Sequence, residues 1–209
     1  MTTVNTANIQ VTQTGKAEAV KTATVADVDS ALQTATADAK TALTEIKSAV
    51  SSGSASSVSV STKVEVFEVK ETTTNKTTTI SKVTLSFTPD KDLKNVDLVE
   101  VIPKYVAQDA SFIKFIGEQP KILQSDPVVQ WSFSEVKQGE MKDLSYQVNK
   151  KIDSLNTTTI AVGQTVAAAT TPTAATGAKP ISSWAWIILG IIVLAIIVYW
   201  LYQRKILKF

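Results

Sequence analysis

The chain has 209 residues, with 21 Lys and Arg, 19 Asp and Glu, and neither Cys nor His. The lack of Cys excludes disulfide bonds and thiolate metal sites, and the lack of His excludes imidazole zinc ligands and Ser-His-Asp triads. A formal net charge of +2 is too small to indicate a nucleic-acid partner. These exclusions disfavour most enzyme classes, so we expect a non-enzymatic protein without a cofactor or metal site.

The N-terminal region, residues 1–57, is rich in Thr and Ala and predicts one long helix over about residues 24–51. Thr24 and Asp27 fit a capping box, and apolar residues then recur at steps of three and four. Because such a helix is marginal alone in water, we expect it either to associate with other chains or to fold back on the β-domain. Asn8–Thr14 is expected to form a short strand with a partner.

Residues 58–160 show the alternation of apolar and polar residues that is typical of strands with one buried face. Clear examples are Val83–Phe87, Val129–Phe133 and Leu144–Val148, and turn-forming residues separate the runs. About seven short strands with no helical pattern among them predict a mainly β fold. The expected architecture is an immunoglobulin-like β-sandwich between the N-terminal helix and a C-terminal transmembrane helix.

Two runs in this region break the alternation. The phase slips between Val66 and Phe67, which predicts a bulge. The run Val96–Ile102 is apolar in both phases, and Pro103 ends it because proline has no amide hydrogen. Without a disulfide, inward aromatic side chains are expected to fill the core, and Trp131 is the one whose loss should destabilise most. The predicted inward aromatic residues are Phe87, Phe112, Phe115, Trp131, Phe133 and Tyr146.

Two Asn-X-Thr sequons, at Asn75 and Asn156, are candidate N-glycosylation sites. Asn75 is expected at a hairpin tip and Asn156 just past the end of a strand, which are both exposed positions. Residues 161–182 are rich in Ala, Thr and Pro and nearly uncharged, so they are expected to form a stalk. This stalk either carries O-glycans or acts as a plain tether.

An uncharged apolar run, Trp184–Tyr202, follows the stalk. A helix of this length spans about 28 Å, close to the roughly 30 Å hydrocarbon core of a bilayer. The sequence therefore predicts a single transmembrane helix over residues 183–203 and a basic tail over residues 204–209. The side chains expected at the membrane interfaces are Trp184, Trp186, Tyr199, Trp200, Tyr202, Arg204, Lys205 and Lys208.

The orientation of this helix follows from the basic residues of the tail. The positive-inside rule places the C-terminus in the cytoplasm and the N-terminal domain outside the cell membrane. Residues 1–5 have neither the basic nor the apolar region of a signal peptide. We expect either a processed or partial product with its domain outside, or a tail anchor with its domain inside. The charge rule favours the domain outside.

Part of the β-domain, about residues 64–152, resembles a module of archaeal membrane-anchored cell-surface proteins. The segments that carry the resemblance are Leu93–Val96, Glu100–Lys104, Asp126–Trp131, Gly139–Glu140 and Tyr146–Lys150. In those proteins an immunoglobulin-like domain commonly precedes a C-terminal transmembrane helix. The shared residues are turn and core residues, so the resemblance implies a fold and a location but no catalytic residues.

Together these features predict a non-enzymatic, single-pass cell-surface protein that anchors or assembles envelope structures, such as a surface layer or a surface filament. The expected partners are the lipid bilayer and either other envelope proteins or further copies of the chain, bound through the N-terminal helix. Two alternatives stay open. One is an accessory subunit of a membrane protein complex, and the other is an envelope protein of an archaeal virus.

Overall fold

A computed structural model describes residues 3–6, 8–153 and 157–166, and this part of the chain contains eleven β-strands and two α-helices. The strands are β1 Thr3–Thr6, β2 Ile9–Thr22, β3 Ser56–Ser57, β4 Ser59–Glu71, β5 Thr77–Phe87, β6 Leu93–Val101, β7 Ile113–Ile116, β8 Lys121–Gln124, β9 Val128–Val136, β10 Lys142–Val148 and β11 Thr158–Thr165. The helices are α1 Val25–Thr34 and α2 Ala37–Ser51, and Ala110–Phe112 forms one turn of 3-10 helix.

The strands form two antiparallel sheets that share one core. Sheet A has the order β1-β2-β4-β5-β10-β7, and sheet B has the order β3-β11-β6-β9-β8. Inward side chains of both sheets meet between them, for example Leu85 and Tyr146 of sheet A with Leu98 and Trp131 of sheet B. The predicted mainly β fold is therefore confirmed.

The order of the strands differs from that of a constant-type immunoglobulin domain. That domain has strands A, B, E and D in one sheet and C, F and G in the other, so its last strand lies beside strand F. Here the last described strand, β11, lies between β3 and β6. Many sandwich domains share the immunoglobulin architecture without its topology, and the strand order here shows only the two-sheet arrangement.

The prediction of one helix over residues 24–51 is wrong, because the chain forms two helices there. The break lies at Ala35 and Thr36, where the backbone is extended. The amide and the hydroxyl of Thr36 both donate hydrogen bonds to Oε1 of Gln124, at 2.8 and 3.0 Å. A side chain of β8 thus holds the chain at the point where the helix is interrupted.

The start of α1 agrees with the sequence. The Asp27 amide donates to the Thr24 hydroxyl at 3.3 Å, and the Thr24 amide donates to the Asp27 carboxylate at 2.8 Å. This reciprocal pair is the capping box that the sequence predicts. It gives the Thr24 amide an acceptor and adds a second acceptor for the Asp27 amide, which also donates to the Thr24 carbonyl at 3.1 Å.

Both helices fold back on the outer face of sheet B. Leu43 and Ile46 of α2 are buried in a cluster with Val99 of β6 and with Ile160 and Val162 of β11. Of the two roles expected for the helical region, the structure therefore shows packing on the β-domain. Because sheet B is covered on both faces, its strand β6 is apolar in both phases.

The N-terminal strand is longer than the sequence suggests. The predicted short strand over Asn8–Thr14 is instead a hairpin of β1 and β2, and β2 pairs with β4 along its whole length, from Ile9 to Thr22. The predicted bulge between Val66 and Phe67 of β4 lies instead in the neighbouring strand. Its extra residue is in β2, between Gln13 and Gly15, directly opposite those two residues.

Most of the predicted aromatic core is confirmed. The buried members are Phe87, Trp131, Phe133 and Tyr146, and Phe115 packs against them as a partly buried ring. The prediction of an inward ring is wrong for Phe112, since 65% of its surface is exposed. It ends the 3-10 turn, whose start is fixed by the Asp109 carboxylate accepting from the Ser111 amide, and it therefore precedes the strand that enters the core.

The boundary between the sandwich and the stalk differs from the prediction, and the predictions for the C-terminal segment lie outside the described residues. β11 continues to Thr165 because Ala161 and Val162 are buried, so the first residues of the predicted stalk belong to the sandwich. The rest of the stalk and the predicted membrane segment Trp184–Tyr202 lie outside the described residues. Among the described helices, none combines the length and the apolar character needed to cross a membrane.

Candidate assembly interface

The most open feature of the fold is the outer edge of β2 in sheet A. β1 pairs only with the beginning of β2, from Ile9 to Thr12. Beyond Thr12, no described strand lies beside β2 on the side away from β4. Residues 16–22 are all exposed. A row of backbone N–H and C=O groups without a neighbouring strand is a template on which another strand can add.

Charged side chains of opposite sign alternate on the outer face beside this edge. Lys16 and Glu18 of β2 lie opposite Glu65 and Lys63 of β4. The Lys63 ammonium lies 2.8 Å from the Glu65 carboxylate, and the Lys16 ammonium lies 3.8 Å from that of Glu18. Exposed pairs of this kind contribute only about 0–1 kcal/mol each, so they decide register and specificity more than stability.

The opposite face of the same stretch carries small side chains. Gly15, Ala17 and Ala19 point to the side of the sheet on which Val64 and Val66 of β4 are buried. No bulky side chain of β2 projects from that face between Gly15 and Ala19, and the next residue on the same face, Lys21, forms an ion pair with Asp27. An incoming strand would meet the backbone of β2 without having to displace a large side chain.

The other sheet edges are shorter. β7 ends sheet A with four residues, while β3 and β8 end sheet B with two and four residues. Short edge strands are one means by which proteins limit unwanted pairing. The uncovered part of β2 is longer than any of these, which makes it the edge best suited to binding a further strand.

A basic cavity of about 510 Å³ opens near the chain segment between β6 and β7. Lys104, Lys114 and Lys150 line it together with the exposed ring of Phe112, and its lining contains no Asp or Glu. Lys104 forms an ion pair of 3.0 Å with Asp126, and Lys150 donates to the Tyr105 carbonyl at 2.5 Å. Two of the three lysines thus have partners within the protein.

Glu100 is an acidic residue buried between the sheets beside Tyr146. The Glu100 carboxylate accepts hydrogen bonds from the hydroxyls of Tyr146 and Thr159. Burial raises the pKa of Glu100 to about 7, because desolvation outweighs these hydrogen bonds. Burial likewise raises the pKa of Tyr146 well above its usual value. The group is enclosed in the core, so its chemistry concerns stability.

The candidate sites from the sequence are placed as follows. Asn75 lies in the turn between β4 and β5, is exposed and has a φ of 54°, so the predicted hairpin tip is confirmed. Its glycosylation stays a prediction. Asn156 and the membrane-interface residues from Trp184 to Lys208 lie outside the described residues. Within the described ranges, no group of three or more His, Cys, Asp or Glu side chains could hold a metal ion.

The open edge of β2 was missed by the sequence reasoning. Residues 16–19 alternate in polarity, but Ala, Lys and Glu are depleted in strands, and the apolar positions of this run are Ala. The usable signal is the capping box of α1, whose Thr24 comes two residues after the last strand residue, Thr22. That helix start sets the limit of any preceding strand.

The chain was compared with protein-family models, with curated proteins and with solved structures, and none of the three comparisons found a match. The resemblance to archaeal cell-surface proteins therefore depends on the residues of this chain alone.

Proposed function

We propose that the chain is a non-enzymatic, single-pass protein of an archaeal cell surface that anchors or assembles envelope structures, such as a surface layer or a surface filament. In this proposal the sandwich is an immunoglobulin-like module outside the cell, and the C-terminal apolar segment anchors it in the lipid bilayer. The observation that carries the assembly role is the open edge of β2, which offers strand pairing to a neighbour.

The membrane role is supported by the sequence of the C-terminal segment. Trp184–Tyr202 is long enough to span a bilayer, and its eleven Ile, Leu and Val residues favour insertion by about 5 kcal/mol in total. Aromatic side chains flank the segment, and basic residues follow it. By the positive-inside rule, residues 204–209 are cytoplasmic and the sandwich is extracytoplasmic.

The assembly role is better supported for the sheet edge than for the helices. The sequence suggested that the N-terminal helix binds further copies or other envelope proteins. Because Leu43 and Ile46 pack on sheet B of the same chain, the apolar face of the helical region is already covered. We therefore propose that partners bind at the edge of β2, while the helices stabilise the sandwich.

Anchoring in the membrane is tested with the full chain in cells. We expect the protein to float with lipid vesicles and to resist extraction at high pH, and we expect protease added to intact cells to digest the sandwich. Freely dissolved protein, or a sandwich protected from protease in intact cells, would overturn the proposal. Recovery of the chain in a complex with multispan proteins would favour the accessory-subunit alternative.

A matched pair of variants makes this test specific to the apolar segment. Replacing Val193 and Ile196 by Lys places two charges near the middle of the segment, at a cost of about 5–7 kcal/mol, which exceeds the gain from the apolar residues. Val193→Leu with Ile196→Leu is the control. We expect the Lys variant to leave the membrane fraction and the Leu variant to remain there.

A further inference from the structure

We infer that the partner of the β2 edge is the β2 edge of a second copy, paired antiparallel about a two-fold axis at Ala17. The inference rests on the proposed assembly role and names the partner for that same edge. Two six-stranded sheets A would then join into one continuous sheet. Such a contact is isologous, because each copy contributes the same surface.

Symmetry restricts the alignments that are available. Residues directly opposite each other in a sheet have side chains on the same face. Two identical antiparallel strands meet this condition only when the two-fold axis passes through a residue, since an axis between residues would oppose side chains of different faces. The choice along the open edge therefore reduces to which residue lies on the axis.

The charges of β2 select Ala17 as that residue. With Ala17 on the axis, Lys16 of each copy lies opposite Glu18 of the other, which gives two cross-strand pairs of opposite charge. An axis at Lys16 would place two ammonium groups opposite each other. An axis at Glu18 would do the same with two carboxylates. An axis at Gly15 or Ala19 leaves both charges opposite uncharged residues.

The bulge of β2 and the end of β1 limit the stretch that can pair in this alignment. The bulge of β2 lies between Gln13 and Gly15, so the regular part of the open edge begins at Gly15. Pairing about Ala17 uses Gly15–Ala19 of each copy, with Gly15 opposite Ala19. β1 reaches only to the position opposite Thr12, so it does not overlap Gly15–Ala19. Thr22 of the second copy would reach that position, so Thr3 of β1 has to shift when the two edges pair. The small side chains of Gly15, Ala17 and Ala19 line the inner face of the contact.

The same features explain why pairing would be selective. Lysine side chains and bulges at a sheet edge normally discourage a foreign strand. Lys16 has this effect on a strand that offers no acid at the matching position. A second copy offers Glu18 there, so the edge favours its own sequence over unrelated strands.

The inference is tested by cysteine cross-linking, because the natural chain contains no Cys. Ala17→Cys in the full chain, in membranes or mild detergent, is expected to form a disulfide-linked dimer on oxidation, since the two thiols face each other across the axis. Ala19→Cys is the control. Its thiol would lie opposite Gly15, and the two copies of residue 19 would be about 13 Å apart along the strands. We expect at least tenfold less dimer from this variant.

A charge change tests the register. Adding Lys16→Glu to the Ala17→Cys variant places acids opposite each other and should lower the dimer yield severalfold. Lys121→Glu makes the same change in net charge on β8 of sheet B, away from the edge, and should leave the yield unchanged.

Equal cross-linking at residues 17 and 19 would indicate random collision and overturn the inference, as would no dimer at residue 17. The outcome of the cross-linking experiments is independent of the outcome of the membrane-anchoring experiments. A dimer specific to residue 17 in a chain that does not float with vesicles would overturn the proposed location and leave the partner standing. A chain that is anchored in the membrane but does not form this dimer would overturn the proposed partner and leave the proposed location standing.

Discussion

The Tyr146 hydroxyl donates a hydrogen bond of 3.4 Å to Oε1 of Glu100, and both residues are fully buried between the two sheets. Glu100 follows Val96 and Leu98 in the inward phase of β6 and is the acidic member of that buried row. Thr159 lies directly opposite it on β11 and donates to the other carboxylate oxygen. These contacts satisfy the group without restoring the solvation that it has in water.

The first prediction concerns stability against pH. The pKa of Glu100 is about 7 in the folded protein and near the usual 4.5 when unfolded, so the folded state binds the proton more tightly. Its contribution is fully present below pH 4.5 and is lost as the pH rises through about 7. The shift corresponds to roughly 3 kcal/mol. Urea unfolding at pH 5 and at pH 8 measures most of this difference.

The control for this prediction is Glu100→Gln, which keeps a hydrogen-bonding side chain of similar shape but has no charge. We expect the free energy of unfolding of this variant to change much less between pH 5 and pH 8. If the free energy of unfolding of the variant fell as much between pH 5 and pH 8 as that of the natural protein, other groups would cause the pH dependence.

The second prediction concerns Trp131, the largest of the fully buried side chains. Its indole N–H donates to the Glu118 carbonyl at 3.0 Å, and its ring meets Phe115 edge-on at 6.0 Å. Trp131→Ala should lower the free energy of unfolding by about 3–5 kcal/mol. Trp131→Phe keeps part of the packing and should cost less. A loss below about 1 kcal/mol for the Ala variant in denaturant unfolding would contradict the packing described.

The third prediction compares two glycines. A Cβ at Gly163 would lie 3.0 Å from Leu93 and 3.1 Å from Val96, which are both buried side chains. Gly163→Ala should therefore destabilise the protein by about 1–3 kcal/mol through overpacking. Gly15→Ala is the matched control, because its nearest contact would be an ordinary 3.4 Å. Thermal unfolding of both variants tests the prediction, and equal losses would count against it.

The fourth prediction concerns the start of α1. Thr24→Ala removes the hydroxyl that accepts from the Asp27 amide and should cost about 1 kcal/mol. Thr44→Ala alters an exposed position inside α2, where Ala is the better helix former, and should have an effect within about 0.5 kcal/mol. Denaturant unfolding distinguishes the two, and similar values would mean that the cap adds little.

The fifth prediction concerns Asn75. Expression in a host with N-glycosylation should add a glycan at this exposed turn, and mass spectrometry of the peptide detects it. Thr77→Ala removes the sequon and leaves the backbone at Asn75, where φ is 54°, undisturbed. It is therefore a better control than replacing Asn75 itself. An unmodified peptide from the natural chain in such a host would show that the site is not used.

The sequence predicts local features of this fold well and distant ones poorly. The capping box at Thr24 needs only residues within one helical turn, and the strand around Trp131 follows from a period of two. The break between the helices depends on Gln124, which is 88 positions from Thr36 in the chain. A helical pattern carries no information about so remote an acceptor.

The candidate interface shows the same limit. The alternation in β2 is visible, but its Ala and Lys residues have little strand propensity, and its stability comes from pairing with β4. The burial of Glu100 is readable from its phase with Leu98, whereas its partner Tyr146 comes from another sheet. Sequence patterns thus give the face on which a residue lies, and tertiary pairing decides what it meets.

The packing of the helices against β11 has a consequence for biosynthesis. Ile160 and Val162 form part of the surface on which α1 and α2 rest, yet they belong to the final described strand. At translation rates of roughly 5–20 residues per second, about 5–20 s separate the synthesis of α2 from that of β11. During that interval the apolar faces of the two helices lack the part of their packing surface that β11 supplies. A chain that terminates before β11 would leave these faces exposed to water.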